Sequence, residues 1–189
     1  MLEKPGMSSK PSSTYNLDTL HVLVVEDSRS MRGLVVEILR EVGVGRVSNT
    51  QHGLAAQKIL DPSSSNSKSM FDEIMNVDVV ISDWMMEPVS GIELLRWMRA
   101  HKNESIRYMP FIMLTGYSDQ KRIFEARDAG MTEFLRKPIS VNSLVGHLLT
   151  VIDRPRKFIL TDKFIGPDRR RKNVPTEFPD RRTTNKAEL

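Results

Sequence analysis

The sequence predicts an α/β fold in which a five-stranded parallel sheet is doubly wound, with helices on both faces. Three observations predict it. Short apolar runs recur five times along the chain. Each is followed by a segment whose apolar residues return at helical spacing. Each run also stops on a polar or charged residue, as expected where a buried strand hands over to a loop and helix.

The elements follow in order. His21 to Val25 is a β-branched strand, and Met31, Leu34, Val35, Ile38, Leu39 and Val42 mark the helix after it, with Ser28 placed to cap that helix and Gly43 to end it. A weaker strand is expected at Gly45 to Asn49 and a helix near Leu54 to Leu60. The serine-rich stretch Asp61 to Ser69 has no periodicity and reads as an inserted loop. Val77 to Ser82 is a strand ending at Asp83, and a helix runs from Ile92 to about His101. Pro110 to Leu114 is a strand ending at Thr115, followed by a helix around Gln120 to Ala129. The last strand, Glu133 to Arg136, stops at Lys137-Pro138. The last helix puts Val141, Leu144, Val145, Leu148, Leu149 and Ile152 on one face.

Composition and charge divide the chain. With 39% hydrophobic and 28% charged residues it can bury a core and stay soluble. No apolar run approaches the roughly 20 residues of a spanning helix. Met1 to Thr19 is polar, lacks the apolar centre of an export signal and reads as a flexible N-terminal segment, so a cytoplasmic location is expected. The absence of cysteine excludes disulfides and thiolate-bound metals. Residues 154 to 189 hold 11 Lys+Arg against 5 Asp+Glu, whereas residues 1 to 153 hold 17 against 19. The net charge of +4 therefore belongs to the tail.

In an open parallel sheet the ligand crevice lies beyond the carboxyl ends of the strands. The residues there are Glu26, Asp27, Asp83, Thr115 and Lys137. Any one acid at a strand end would be an ordinary cap or surface carboxylate, but the set is informative. Three clustered carboxylates repel one another unless a cation neutralises them. An all-oxygen donor set without His or Cys selects a hard ion such as magnesium. Such a site suits phosphoryl transfer, with Asp83 as nucleophile and the Thr115 hydroxyl and Lys137 ammonium on the transferred oxygens.

The segments VVED at 24 to 27, SDW at 82 to 84, LTG at 114 to 116 and KP at 137 to 138 resemble bacterial response-regulator receivers, over about 135 residues and with all elements in order. The resemblance implies a flavodoxin-like strand order of 2-1-3-4-5 in a receiver spanning residues 20 to 154. It implies Asp83 as phospho-acceptor and magnesium held by Asp27, by Glu26 through water, by Asp83 and by the Met85 backbone carbonyl. Thr115 and Phe134 would act as switch residues, and Met85 and Tyr117 would tune phosphate lifetime. The phosphoryl donor would be a partner histidine kinase or histidine phosphotransfer protein. The stretch after Asp83 departs from the commonest pattern, with Glu87 where proline often stands and Pro88 one place later.

Other residues carry blander expectations. Trp84 reads as a packing or surface aromatic. The methionines at 85, 86, 109, 113 and 131 read as fillers of core and loop. His21, His52, His101 and His147 fall on separate elements and form no expected cluster. Residues 155 to 189 are expected to be extended or disordered, yet they contain a partial repeat, Phe164-Ile-Gly-Pro-Asp168-Arg-Arg and Phe178-Pro-Asp180-Arg-Arg, which suggests a short element that packs on the domain or docks a partner.

Two alternatives accompany the main reading of a contact-signalling response regulator without turnover of its own. One makes the basic tail a nucleic-acid-binding output, although it lacks recognition-helix periodicity and an aromatic stacking set. The other is a phosphohydrolase using Asp83, which would want a second acid two residues on, where Met85 stands.

Overall fold

The computed structural model describes residues 17–62, 76–116, 120–161 and 164–168. Expectations for Tyr117, and for the serine-rich stretch from residue 63 on, lie outside the described residues.

Five parallel strands form the central sheet: β1 (His21–Val25), β2 (Arg46–Thr50), β3 (Val79–Asp83), β4 (Phe111–Thr115) and β5 (Glu133–Arg136). Their order is β2-β1-β3-β4-β5, as the resemblance implied. In register, Val25 lies beside Ser82, and Asp83 lies beside Leu114. The connecting helices are α1 (Arg29–Glu41), α2 (Gly53–Leu60), α3 (Gly91–Arg99), the single turn α4 (Glu104–Arg107), α5 (Gln120–Asp128) and α6 (Val141–Asp153).

Because successive side chains of a strand point to opposite faces, each central strand feeds two cores. Val22, Val24, Val79, Ile81, Ile112 and Leu114 pack with α1 and α6 residues such as Leu39, Leu144 and Leu148. Leu23, Val25, Val80, Phe111 and Met113 pack on the other face with Ala56, Leu95, Met98, Ile106 and Ala126 from α2 to α5. The central strands are buried on both sides, which is why they read as continuous apolar runs. β2 lies at the edge and is partly exposed, which accounts for its weaker signal.

Local chemistry fixes the helix ends. Ser28 and Ser140 accept backbone amides at the starts of α1 and α6, and Ser90 forms a reciprocal capping box with Glu93 on α3. After α1 and α5 the chain turns through Gly43 and Gly130, both in the left-handed region. The Val44 amide bonds back to the Leu39 carbonyl and Met131 to Ala126, which satisfies the last turns.

Two features at the ends of the domain bear on the expectations of a flexible N-terminal segment and of an extended or disordered tail with a short packing element. Leu17 is buried and its carbonyl accepts the Gly45 amide at 2.9 Å, so part of the segment expected to be flexible belongs to the core. Beyond α6 an antiparallel hairpin forms from β6 (Phe158–Thr161) and β7 (Phe164–Pro167), closed by the Asp168 amide on the Lys157 carbonyl at 2.8 Å. It uses the first of the two Phe-containing repeats. The hairpin packs at the end of the sheet where β4 and β5 begin. Phe158 lies under the Arg99 guanidinium at 5.0 Å and edge-on to Tyr108 at 5.4 Å. A Cβ on Gly166 would come within 2.6 Å of the Gly130 Cα, so the two backbones approach as only glycine allows.

Candidate functional site

Glu26 and Asp27 follow β1, Asp83 ends β3, Thr115 ends β4 and Lys137 follows β5. Parallel register brings these ends into one row, and the structure gathers Glu26, Asp27, Asp83 and Lys137 into one crevice. The Lys137 Nζ lies 2.7 Å from Glu26 Oε2 and 2.7 Å from Asp83 Oδ1. A carboxylate oxygen from each of Glu26, Asp27 and Asp83 lies within 4.8 Å of the others. Thr115 is 1% exposed at the neighbouring strand end, and its carbonyl accepts the Lys137 amide at 2.8 Å.

The surroundings differ sharply among the three acids. Glu26 is 1% exposed, accepts the Ser28 amide at 3.2 Å, and has its carboxyl pushed above the usual glutamate range by burial, against the opposing pull of the Lys137 hydrogen bond. Asp27 is exposed. Asp83 is buried, with Oδ2 accepting the Met85 amide at 3.2 Å. Burial pulls the Lys137 ammonium down, but its bonds to Asp83 and Glu26 outweigh that and leave it above the usual lysine range. The residues thus fit a hard cation: oxygen donors of three acids converge, one of them open to solvent, with one ammonium to balance them.

Several neighbours position this crevice without having been apparent in the sequence. The Arg32 guanidinium donates to the carbonyls of Glu26 at 2.7 Å and Asp27 at 3.3 Å, which holds the acidic turn against α1. Its only sequence signal was its place one turn into a helix that follows the acidic pair. Gly91 was likewise not singled out. A Cβ there would fall 2.0 Å from the Asp83 carbonyl oxygen, so the start of α3 presses directly on β3. The Ser82 hydroxyl donates to that carbonyl at 2.9 Å.

The remaining expected residues are placed as follows. The Met85 side chain is exposed, and its amide is the group that meets Asp83. Phe134 sits half-buried on β5, paired in register with Met113. Trp84 is buried in the core on the α2 to α5 face.

Residues 22–149 match the model of the response regulator receiver domain. The chain belongs to this receiver family. It is 30% identical to the chemotaxis protein CheY-3 of Vibrio cholerae over 135 residues, covering 71% of this chain and 93% of that protein. It is 27% identical to the chemotaxis protein CheY of Pseudomonas aeruginosa, covering 71% and 98%. Among solved structures, the chemotaxis response regulator CheY4 of Vibrio cholerae matches with a TM-score of 0.57 at 28% identity, over 70% of this chain and 98% of that one. Each of these matches covers about 70% of this chain.

Proposed function

We propose that this receiver is a phospho-accepting response regulator, modified on Asp83 by a partner histidine kinase or histidine phosphotransfer protein and signalling through contact with other proteins. The observation that carries the reading is the salt bridge from Lys137 to Asp83 inside a cluster of three acids at the strand ends. A carboxylate so placed is a nucleophile with its charge already compensated.

Asp83 attacks the phosphorus of the donor's phosphohistidine. The new O–P bond forms as the N–P bond breaks, and the imidazole leaves with its electron pair. Asp27, Asp83 and the Met85 carbonyl, with Glu26 through water, would hold a magnesium ion, which when bound would neutralise the phosphoryl oxygens and the acids. Lys137 keeps its ammonium within reach of an oxygen of the modified Asp83, so its salt bridge passes from carboxylate to phosphoryl group. Thr115, at the adjoining strand end, would donate its hydroxyl to the same group. The added group carries roughly −1.5 to −2 charge, enough to redraw the contacts of both residues.

Such a chain changes state rather than turning over a small substrate, and its output depends on partners that prefer one state. Incubation with magnesium and acetyl phosphate should add one phosphoryl group, read by intact mass. Asp83→Asn should abolish it, and equal labelling of that variant would overturn the assignment. Omission of magnesium or addition of a chelator should suppress labelling of the wild-type chain.

A further inference from the structure

Glu26 and Asp27 share one turn between β1 and α1, yet their carboxylates are placed by different means. That of Glu26 is buried and held from two sides, by the Ser28 amide at 3.2 Å and the Lys137 ammonium at 2.7 Å. That of Asp27 is exposed, and among the described residues no hydrogen bond or ion pair reaches it. Its place within 4.8 Å of the Glu26 and Asp83 oxygens is therefore set by the backbone beneath it.

That backbone is clamped on both sides. The Glu26 amide donates to the Thr50 carbonyl of β2 at 3.1 Å. Opposite, Arg32 Nη1 donates to the Glu26 carbonyl at 2.7 Å and to the Asp27 carbonyl at 3.3 Å, bonds strengthened by the charge of the donor. Arg32 is half-buried, and its own amide donates to the Ser28 carbonyl at 2.8 Å as α1 begins, so the guanidinium is presented from a helix rather than from a loop.

We propose that Arg32 is a positioning residue for the metal site: through the two carbonyls it fixes the turn that holds the Asp27 carboxylate beside those of Glu26 and Asp83. The proposal rests on the reading of Asp27 as a magnesium ligand and adds the residue that presets it. A ligand that must be ordered as the ion arrives loses conformational entropy at that moment, whereas a clamped turn has lost it on folding. The charge of Arg32 works in the opposite sense, because a guanidinium near the acids repels a divalent cation. Removal of the side chain therefore separates the two effects by sign: lost positioning weakens binding, and lost charge tightens it. Both bonds end on carbonyls and neither on a carboxylate oxygen, so Arg32 orients the turn without occupying the atoms that the ion needs. Partners that orient metal ligands in this way typically account for roughly 10- to 100-fold in affinity, and relief of repulsion offsets part of that.

Titration of the full chain with magnesium chloride, read by calorimetry and by the fluorescence of Trp84 beside Asp83, tests this. Arg32→Met, which keeps the apolar stem and suits a helix, should raise the dissociation constant about tenfold. Arg32→Lys, which keeps the charge and offers a smaller donor, should fall between that variant and wild type. Labelling by acetyl phosphate should divide in the same way. The magnesium concentration for half-maximal rate should rise about tenfold in Arg32→Met, and the lost rate should return as magnesium is raised. Urea midpoints in chelator establish that each variant is folded. If Arg32→Met is not, Arg32→Lys decides: it binds more weakly than wild type if Arg32 positions the turn, and equally if charge alone matters. Unchanged or tighter binding in the deciding variant overturns the inference and leaves the metal site standing. Absence of magnesium binding by the wild-type chain overturns both.

Discussion

A carboxyl group buried as deeply as Glu26 stays charged only with a cation beside it, and Lys137 serves Glu26 and Asp83 together. The acids and the lysine were legible in the sequence because they sit at strand ends, where period and chain order alone predict convergence. Arg32 was not, since its partners are backbone carbonyls, which every residue has. A second buried titratable residue lies far from the crevice. His21 Nδ1 donates to the Asn76 carbonyl and Nε2 pairs with the Ser48 hydroxyl at the start of β1, and burial chiefly holds the imidazole below the ordinary value of 6.5, with Arg46 acting the same way and the Asn76 bond and Asp78 opposing. The folded chain thus favours neutral His21, whereas the unfolded chain takes up a proton near pH 6.5. Its contribution is complete above that value and is lost as pH falls through it toward the lower folded value. Urea midpoints should drop between about pH 7.5 and about pH 5.5, and the drop should be smaller in His21→Gln. Equal drops in the two proteins would remove His21 from the account.

At the scale of elements, five strands and their following helices were readable from periodicity, with ends displaced by a residue or two where caps decide them. Ser90 starts α3 through its capping box, and its neighbour Gly91 makes the close approach to Asp83. One element escaped and one was only hinted at. α4 is one turn of four residues, too short to show a period. The β6–β7 hairpin joins a sequence with glycine and proline in its second strand, and its support comes from residues far away in the chain, Arg99, Tyr108 and Gly130. Gly91→Ala tests how strictly α3 is seated. The added methyl group must push the Asp83 carbonyl aside, so overpacking should destabilise the fold by about 1–3 kcal/mol. The rate of labelling should fall as well. A variant with wild-type denaturation and labelling would show that α3 can withdraw without disturbing β3.

Across the whole molecule, the two apolar cores stiffen the sheet from both faces, and one polar side chain ties the far end together. Arg99, 4% exposed, donates to the carbonyls of Gly130 at 2.9 Å, Arg107 at 2.8 Å and Met109 at 2.9 Å, and stacks over Phe158. It joins α3, α4, the turn before β5 and the hairpin. Arg99→Met keeps apolar bulk but leaves three carbonyls without their donor, each worth about 1–3 kcal/mol when buried. A loss of about 3 kcal/mol or more in denaturant unfolding is expected, together with release of the hairpin to protease. Arg99→Lys should rescue little, because a single ammonium cannot copy the planar fork. Stability equal to wild type in Arg99→Met would place the hairpin's support elsewhere.

Leu17 and Asp168 both pack against the pole of the sheet where strands begin, one through Gly45 and the other through the hairpin, while Asp83 opens at the pole where they end. A sheet of five-residue strands separates the two poles by about 17 Å. A tether fixed at either residue, whether a fused protein, a dye or a bead, would hold the molecule by its base and leave the crevice at Asp83 facing away from the attachment.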